Sequence, residues 1–218
     1  MNLEKARFTM VHQQIRTWDV SDQRVLDALL AIPREAFAPI EYRELAYADT
    51  GIPLTDGQEM MSPRIVARIL QALDLSPTDH VLEVGTGSGY LTALIAMLAR
   101  DVVSVEISPA LHQQASAALA AQNVQNAQLS LGDAATGWES AAPFFDAIVV
   151  TGSIPVLRGH LHYQLKENGR MFVVVGEEPV MGARLITRSG SDDWREESLF
   201  ETVLPPLQSA QSVDRFVL

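Results

Sequence analysis

A glycine-rich loop is the clearest chemical feature of the sequence. It runs from Glu83 to Gly89 and reads Glu-x-Gly-x-Gly-x-Gly. Glycine permits tight turns and lets a ligand approach the backbone closely. A β-rich apolar run precedes the loop and a helical pattern follows it, so we expect a strand, the loop and then a helix. A cofactor-binding loop requires this setting.

The spacing of the glycines separates this loop from three other kinds. A dinucleotide-binding fingerprint has its third glycine at position 90, which is Tyr90 here. A phosphate-binding loop ends in Gly-Lys-Ser/Thr, and no lysine follows these glycines. A nucleophile elbow around Ser88 needs glycine two residues earlier, where this chain has Thr86. The spacing therefore argues against the phosphate-binding and hydrolase interpretations.

Two carboxylates follow the next predicted strands. Glu106 ends the second strand, 21 residues after Gly85, where a carboxylate can accept hydrogen bonds from both hydroxyls of a ribose. Asp133 follows the third strand, within Leu-Gly-Asp-Ala. Alone, each is more often a solvated strand end or a turn residue. Together with the glycine loop they lie at the carboxyl ends of consecutive strands, where open α/β sheets bind ligands.

The elements that must position these residues alternate along the chain. Between residues 80 and 176, β-rich runs alternate with helical patterns that begin near Tyr90, Pro109 and Pro155. The strands are predicted at HVLEV, DVVSVEI, AQLSL, FDAIVVT and RMFVVVG. This alternation predicts an α/β fold with a mostly parallel central sheet and helices on both faces.

The flanking segments complete the architecture. An apolar helical face over Ser21 to Ile32, and a helix with Ser62 as N-cap and Pro63 as first residue, predict a helical N-terminal extension. Later, ARLITRS and WREESLFETVL flank the turn GSDD and predict an antiparallel hairpin at one sheet edge. We expect one domain, residues 1–218: extension and substrate loop in 1–75, ligand-binding core in 76–180, hairpin and tail in 181–218.

The composition restricts partners and location. With 27 acidic and 16 basic residues the net charge is −11, and such a surface repels nucleic acid. The absence of cysteine excludes disulfides and thiolate nucleophiles. No apolar run is long enough to span a bilayer, and the charged N-terminal segment is not typical of a secretory signal. His160 and His162 point to different faces of a predicted helix, so we expect no metal site. Since the sequence shows no membrane span, no secretory signal and no cysteine, we expect no membrane partner and a cytoplasmic protein.

Six segments resemble the protein-L-isoaspartate O-methyltransferase family over most of the chain. They are MVHQQIRTWDVSDQRVLDALLAIPREAFAP, YADTGIPLTDGQ, SPRIVARIL, VLEVGTGSGYLTALIA, GDAATGW and FDAIVVTGSIPVLRGHLHYQLKENGRMFVVVG. The resemblance implies a Rossmann-like class I methyltransferase fold, S-adenosyl-L-methionine as methyl donor and S-adenosyl-L-homocysteine as product. It also implies methyl transfer to the free α-carboxylate of an isoaspartyl residue in a damaged protein or peptide, by a monomer, with a dimer as the alternative.

The resemblance further implies which residues form the site. The cofactor-binding positions lie in the glycine loop and after the next two strands: Glu83, Gly85, Thr86, Gly87, Ser88, Gly89, Glu106, Ile107, Asp133 and Ala134. The substrate-binding positions are Gln58, Met60, Thr151, Gly152 and Ser153, and the catalytic positions are Met61 and Ser62.

The substrate loop departs from the family. The family's usual pattern is Gly-Gln-Thr-Ile/Val-Ser-x-Pro, whereas this chain reads Gly-Gln-Glu-Met-Met-Ser-Pro. Glu59 replaces the threonine, Met61 stands at the active-site serine, and a hydroxyl returns one residue later at Ser62. Gly152 and Ser153 likewise replace two alanines on the opposite wall. These changes concern the acceptor rather than the methyl donor.

Three functions therefore remain open. A carboxylate, with a pKa of about 4, is already ionised at neutral pH, so its methylation needs alignment rather than a base. Backbone N–H groups of Met61 and Ser62 could orient it, which keeps an isoaspartyl methyltransferase as the first interpretation. Glu59 is either a solvated loop acid or a group that repels an anionic substrate, and the second interpretation favours a methyltransferase for another, small-molecule acceptor. The missing serine favours a cofactor-binding module without catalysis, with Ser62 serving only as a helix cap.

Overall fold

The computed structural model describes residues 2–138, 144–157 and 161–210. Within these ranges, the strands numbered in chain order are β1 (Ile52–Pro53), β2 (Glu59–Met60), β3 (His80–Val84), β4 (Asp101–Glu106), β5 (Ala127–Leu131), β6 (Phe145–Ile154), β7 (Leu165–Glu177), β8 (Val180–Arg188) and β9 (Trp194–Glu201). β1 and β2 form a small hairpin. The other seven form one sheet in the order β5-β4-β3-β6-β7-β8-β9.

The sheet is parallel over most of its width and antiparallel at one edge. Strands β5, β4, β3, β6 and β7 pair in parallel, and β8 and β9 add to β7 in antiparallel pairing. The central strands β3 and β6 are buried nearly throughout, because both faces of a central parallel strand are covered. The predicted α/β fold with a C-terminal antiparallel hairpin is confirmed.

The α-helices are concentrated in the first 121 residues. They are α1 (Leu3–Thr9), α2 (Gln23–Ala31), α3 (Pro63–Leu73), α4 (Tyr90–Leu98) and α5 (Pro109–Ala121). A π-helical turn at Met10–Ile15 continues α1, and 3-10 turns lie at Arg16–Trp18, Arg34–Ala36, Ile40–Leu45, Thr55–Gly57 and His162–Gln164. The helical N-terminal extension is therefore confirmed, as are the helices at Tyr90 and Pro109.

The helix expected near Pro155 is not found in the residues described there. Strand β6 continues to Ile154, and residues 155–157 are not helical. Two causes are visible. A residue before proline is biased towards extended backbone, and Ser153 pairs in parallel with Pro206, which keeps this stretch extended. His160 lies outside the described residues, and the turn at His162–Gln164 is the next helical feature.

The buried side chains form two clusters, one on each face of the sheet. Apolar residues from α2, α3, α4 and the π-helical turn pack on the first face. On the second face, among described residues, the strands are covered by loop residues, which include Trp138, Leu157, Leu161 and Leu207. The carboxyl ends of the central strands lie between these two layers, where loops from three parts of the chain meet.

Candidate functional site

An open cavity lies at the carboxyl ends of the central strands. Its walls come from the glycine loop, the loops after β4 and β5, the β1–β2 hairpin and the segment after β9. Of the residues expected at the site, the cavity brings together Gln58, Met60, Met61, Glu83, Gly85, Thr86, Gly87, Ser88, Glu106, Ile107, Asp133, Ala134, Thr151 and Gly152. Gly89, Ser62 and Ser153 lie outside its lining.

The glycine loop takes a conformation that only glycine adopts readily. Gly85, Gly87 and Gly89 have φ angles of 95°, 55° and 83°, all in the left-handed region. A Cβ on Gly85 would lie 2.3 Å from Oγ1 of Thr151. That hydroxyl donates to the carbonyl oxygens of Val84 at 2.9 Å and Gly85 at 2.7 Å. Thr151 therefore holds the loop from the neighbouring strand.

Gly89 ends the loop and precedes the first residue of α4. Its left-handed backbone makes it the N-cap residue, with no side chain to cap the helix. A Cβ on Gly89 would meet Ala115 of α5 at 3.3 Å, so this glycine permits close packing of α4 and α5 instead of lining the cavity. The hydroxyl of Ser88 accepts from the backbone N–H of Tyr90 at 3.3 Å, so the first turn of α4 is partly capped from within the loop.

Glu83 is a buried carboxyl with one free oxygen. It is fully buried, and its Oε2 accepts hydrogen bonds from the hydroxyls of Ser104 and Thr92. Its Oε1 has no hydrogen-bond partner, although Glu83 lines the cavity. Burial raises the pKa of Glu83 to about 8. A cationic ligand group near Oε1 would supply the missing partner and favour ionisation.

Glu106 is held rigidly at the end of β4. Its Oε2 accepts from the backbone N–H of Gly87 at 2.8 Å, and its Oε1 accepts from the backbone N–H of Ser108 at 2.9 Å. A carboxylate has about four acceptor positions, so each oxygen can still accept one further hydrogen bond. The Ser108 hydroxyl donates to Asp56, which ties the substrate loop to the start of α5.

The loop after β5 forms another wall. Asp133 accepts from the backbone N–H of Ala135 at 2.9 Å, which closes a local turn. Ala134 is buried and Ile107 is 38% exposed, and both line the cavity. Ala134 and Ile107 offer an apolar surface beside the carboxylate of Asp133. This arrangement suits an aromatic ring with polar edges.

The β1–β2 hairpin carries the substrate loop to the cavity. Met60 pairs with Ile52 across the hairpin and is buried, and Met61 is partly buried beside it. Glu59 is exposed, and its side chain lies against Gly51, where a Cβ would collide with the carboxylate. The hairpin therefore presents two thioethers to the cavity, with an acid at its edge.

Ser62 faces a neighbouring cavity rather than the main one. That second cavity is also lined by Trp18, Arg64 and Phe200, and it shares Glu59 with the first. Ser62 occupies the N-cap position of α3, as expected, but its hydroxyl makes no capping hydrogen bond. The Ser62 hydroxyl therefore serves neither the helix cap nor the main cavity.

Ser153 lies behind the cavity wall. It is 1% exposed, and its hydroxyl donates to the carbonyl oxygen of Leu204 at 2.9 Å. Its backbone N–H donates to Pro205, and its carbonyl accepts from Leu207, both at 2.9 Å. These bonds hold the segment after β9 against the end of β6. Ser153 shapes the wall that Leu204 and Leu207 provide, rather than contacting the cavity itself.

Sequence reasoning missed two parts of the lining. One is the segment from Leu204 to Ser209, whose approach to β6 depends on long-range pairing and left only Pro205-Pro206 as a local sign that the strand had ended. The other is Arg34, a charged residue that is fully buried. Its sole sequence signal is a charge within the mostly apolar run Ala-Ile-Pro-Arg-Glu-Ala-Phe.

Neither a metal site nor a membrane-spanning helix is found in residues 2–138, 144–157 and 161–210. No group of three or more histidine, cysteine, aspartate or glutamate side chains there could hold a metal ion. No helix in those ranges is both long and apolar enough to cross a membrane.

Known proteins resemble this chain over nearly its whole length. The model of the family described as Protein-L-isoaspartate(D-aspartate) O-methyltransferase matches residues 5–212. Protein-L-isoaspartate O-methyltransferase 1 of Rhodopseudomonas palustris is 42% identical over 203 residues, which are 92% of this chain and 82% of the relative. The protein-L-isoaspartate O-methyltransferase of Aliivibrio fischeri is 39% identical over 191 residues, which are 88% of this chain and 91% of the relative.

Solved structures agree on the fold. A Plasmodium falciparum protein in complex with S-adenosyl-L-homocysteine superposes with a TM-score of 0.80 at 21% identity, over 95% of this chain and 99% of that one. A protein-L-isoaspartate O-methyltransferase superposes with a TM-score of 0.77 at 25% identity, over 94% of this chain and 65% of that one. The fold is therefore shared with both of these solved structures.

Proposed function

Because the chain belongs to the protein-L-isoaspartate O-methyltransferase family, we propose that it transfers a methyl group from S-adenosyl-L-methionine to the free carboxylate of an isoaspartyl residue in a protein or peptide. One observation carries the proposal. A single cavity joins the Glu83–Gly89 loop and Glu106 on one side to Gln58, Met60 and Met61 on the other. A donor and an acceptor would therefore meet inside it.

The residues present fit the methyl donor. Glu106 has acceptor positions left for the two ribose hydroxyls, and Ala134 and Ile107 flank the place for the adenine ring. Oε1 of Glu83, buried and without a partner, suits the ammonium group of the amino-acid portion. A Cβ at Gly85 would collide with Oγ1 of Thr151 at 2.3 Å, so the shape of the loop that faces the donor requires glycine at this position.

The chemistry of the lining matches a carboxylate acceptor. The donor supplies a methyl group on a positively charged sulfur, and transfer breaks that carbon–sulfur bond as the acceptor oxygen bonds to the carbon. A carboxylate has no proton to lose, so the protein needs no base. The described lining contains no histidine and no lysine. Amine or alcohol acceptors normally need a base, and in this lining that role would fall to carboxylates, of which Glu83 and Glu106 already accept hydrogen bonds from the protein. The lining therefore supports a carboxylate acceptor.

Met61 defines how this chain would hold its acceptor. Where the family has a serine hydroxyl, this cavity has thioethers from Met60 and Met61. The backbone N–H of Met61 then takes over the orientation of the carboxylate, since Ser62 lies outside the lining of the main cavity. The methionines exclude water, which strengthens hydrogen bonds and charge interactions within the cavity.

Activity on a matched pair of peptides tests the proposal. One peptide contains L-isoaspartate and the other aspartate at the same position, and methyl transfer is measured with wild type and with Met61→Ser. We expect transfer to the isoaspartyl peptide alone, and a several-fold lower KM in Met61→Ser because a hydroxyl donor is restored. Activity that appears only in Met61→Ser, or none in either protein despite binding of S-adenosyl-L-homocysteine, contradicts the proposal for the native chain.

One observation supports a second candidate. Glu59 places a carboxylate at the edge of the main cavity, where an anionic peptide would be repelled. A methyltransferase of this fold with a neutral or cationic small-molecule acceptor is therefore the alternative. Glu59→Gln distinguishes the two, since it should lower the KM for the isoaspartyl peptide but weaken binding of a cationic acceptor.

Four further properties are part of the proposal. The chain functions as one domain, in the cytoplasm, as a monomer or a dimer, and without nucleic acid as a partner. The net charge of −11 supports the last of these. Gel filtration with light scattering, and a mobility shift with DNA and RNA, measure oligomeric state and nucleic-acid binding directly.

A further inference from the structure

Arg34 is a buried cation in the wall of the main cavity. It lies in the 3-10 turn Arg34–Ala36 after α2 and is 0% exposed. It lines the cavity together with Met60, Met61 and Tyr90. Arginine is almost never fully buried unless its charge is paired, so its environment needs a physical explanation.

Only part of the guanidinium group is satisfied. Nε donates to the carbonyl oxygen of Ala46 at 2.7 Å, whereas neither terminal nitrogen, Nη1 nor Nη2, has a hydrogen-bond partner. The group lies over the ring of Tyr90, 5.2 Å from its centroid. The Tyr90 hydroxyl is also buried without a partner. Two residues with buried polar atoms that lack partners, Arg34 and Tyr90, therefore lie side by side in the wall of the cavity.

No side chain in the described part of the protein neutralises this charge. The adjacent carboxylate of Glu35 accepts from the Tyr47 hydroxyl, and the ion pairs formed by described residues do not include Arg34. Burial lowers the pKa of Arg34 to about 10, so it stays protonated at neutral pH. An unpaired buried charge is strongly unfavourable, and an anionic ligand would relieve it.

We propose that Arg34 binds the carboxylate of a ligand in this cavity through Nη1 and Nη2. The inference rests on the proposed function, because both ligands of that reaction carry a carboxylate. One is in the amino-acid portion of the methyl donor, and the other is the isoaspartyl group. The planar guanidinium presents two parallel donors that match the two oxygens of a carboxylate. Arg34 is thus a binding residue that would supply donors where the side chain of Met61 has none.

Calorimetry separates the two carboxylates. Wild type, Arg34→Gln and Arg34→Lys are titrated with S-adenosyl-L-homocysteine and with 5′-methylthioadenosine, which lacks the amino-acid carboxylate. The KM for the isoaspartyl peptide is measured in parallel. We expect Arg34→Gln to weaken the binding of one of the two carboxylate ligands by about 10- to 100-fold, which is the range for a charge-assisted hydrogen bond. Arg34→Lys should lose less affinity than Arg34→Gln, because lysine keeps the positive charge, although it cannot form the bidentate pair.

The outcomes identify the ligand or reject the inference. Weaker binding of S-adenosyl-L-homocysteine with unchanged binding of 5′-methylthioadenosine assigns the donor carboxylate. A higher peptide KM with unchanged affinity for both nucleosides assigns the acceptor carboxylate. Unchanged values throughout, or an equal loss for both nucleosides, overturn the inference. If wild type neither binds S-adenosyl-L-homocysteine nor methylates the peptide, the proposed function has failed instead.

Two variants control for folding. Arg34→Met fills similar space without charge, so its thermal midpoint should not fall, and it should show the same ligand selectivity as Arg34→Gln. Arg170→Gln removes an arginine whose guanidinium is paired with Asp79 and with the carbonyls of Leu73 and Asp74, outside the cavity lining. It should lower the midpoint and leave the ratio of the two nucleoside affinities unchanged. A changed ratio in Arg170→Gln would mean that the ratio reports stability, which also overturns the inference.

Discussion

Gly152 lies directly against Leu207, so that a Cβ on the glycine would be 2.8 Å from Cδ2 of the leucine and 3.1 Å from its backbone nitrogen. That nitrogen donates to the carbonyl oxygen of Ser153 at 2.9 Å. The glycine therefore sets how closely the segment after β9 approaches the end of β6. Since Leu207 lines the main cavity, the width of the cavity depends on this contact.

Gly152→Ala should move Leu207 and loosen that wall. We expect a loss of stability of about 1–3 kcal/mol, as for overpacking elsewhere, and weaker binding of S-adenosyl-L-homocysteine. Urea unfolding and calorimetry measure the two effects. Gly182→Ala is the matched control, because a Cβ there meets no atom within 4 Å. Equal behaviour of the two variants contradicts the role assigned to the Gly152–Leu207 contact.

Gly85→Ala should abolish cofactor binding. Alanine at this position combines a φ of 95° with a Cβ 2.3 Å from Thr151 Oγ1. Gly57→Ala separates the two causes, because Gly57 has a φ of 70° and open space around its Cβ position. We expect Gly57→Ala to lose about 1 kcal/mol through backbone strain alone, and Gly85→Ala to lose clearly more. Chemical denaturation of both variants, with and without S-adenosyl-L-homocysteine, provides the measurement.

Ionisation of Glu83 should make the ligand-free protein less stable as pH rises. Folding raises the pKa of this carboxyl from 4.5 to about 8. Its stabilising contribution is therefore complete below pH 4.5 and declines until the pH passes about 8. Over that interval the free energy of unfolding should fall by a few kcal/mol, on the order expected for such a shift. Glu83→Gln should flatten the profile, whereas Glu167→Gln, at an exposed position, should leave it as in wild type.

The two serines that precede α3 and α5 should differ in their contribution to stability. The Ser108 hydroxyl accepts from the backbone N–H of Leu111 at 3.2 Å, whereas that of Ser62 makes no capping bond. Ser108→Ala should therefore lose about 1 kcal/mol and Ser62→Ala less than about 0.5 kcal/mol. Ser62→Ala should also retain methyl transfer to the isoaspartyl peptide. A large fall in kcat in Ser62→Ala would show that this hydroxyl takes part in the reaction, contrary to this prediction.

The features that could be predicted from sequence are those with a local cause. The glycine spacing from Glu83 to Gly89 and the acid at Glu106 follow strands whose apolar runs are visible in the sequence, and the sheet brings such strand ends together. The cavity accordingly contains both. The hairpin of β8 and β9 also has a local signal, in the turn GSDD between two β-rich runs.

The features that escaped prediction depend on residues far apart in the chain. Ser153 bonds to Leu204, 51 residues later, and pairs with Pro206, and these contacts hold the end of β6 extended up to Pro155. Arg34 was missed because no local pattern distinguishes a buried cation from a solvated one. Pairing across such distances depends on the packing of the whole sheet, which short-range periodicity does not encode.

The course of the chain around the main cavity also bears on synthesis by the ribosome. The lining begins with Arg34 and ends with Ser209, and it includes the glycine loop between them. A nascent chain that has emerged only through α5 already has its Gly-rich turn but lacks Leu207 and its neighbours. At about 5–20 residues per second, the remaining 88 residues from Gln122 to Ser209 take several seconds to follow. The ligand site is thus completed late in synthesis. Nucleoside binding therefore reports that the segment from Leu204 to Ser209 has packed against the glycine loop and its neighbours.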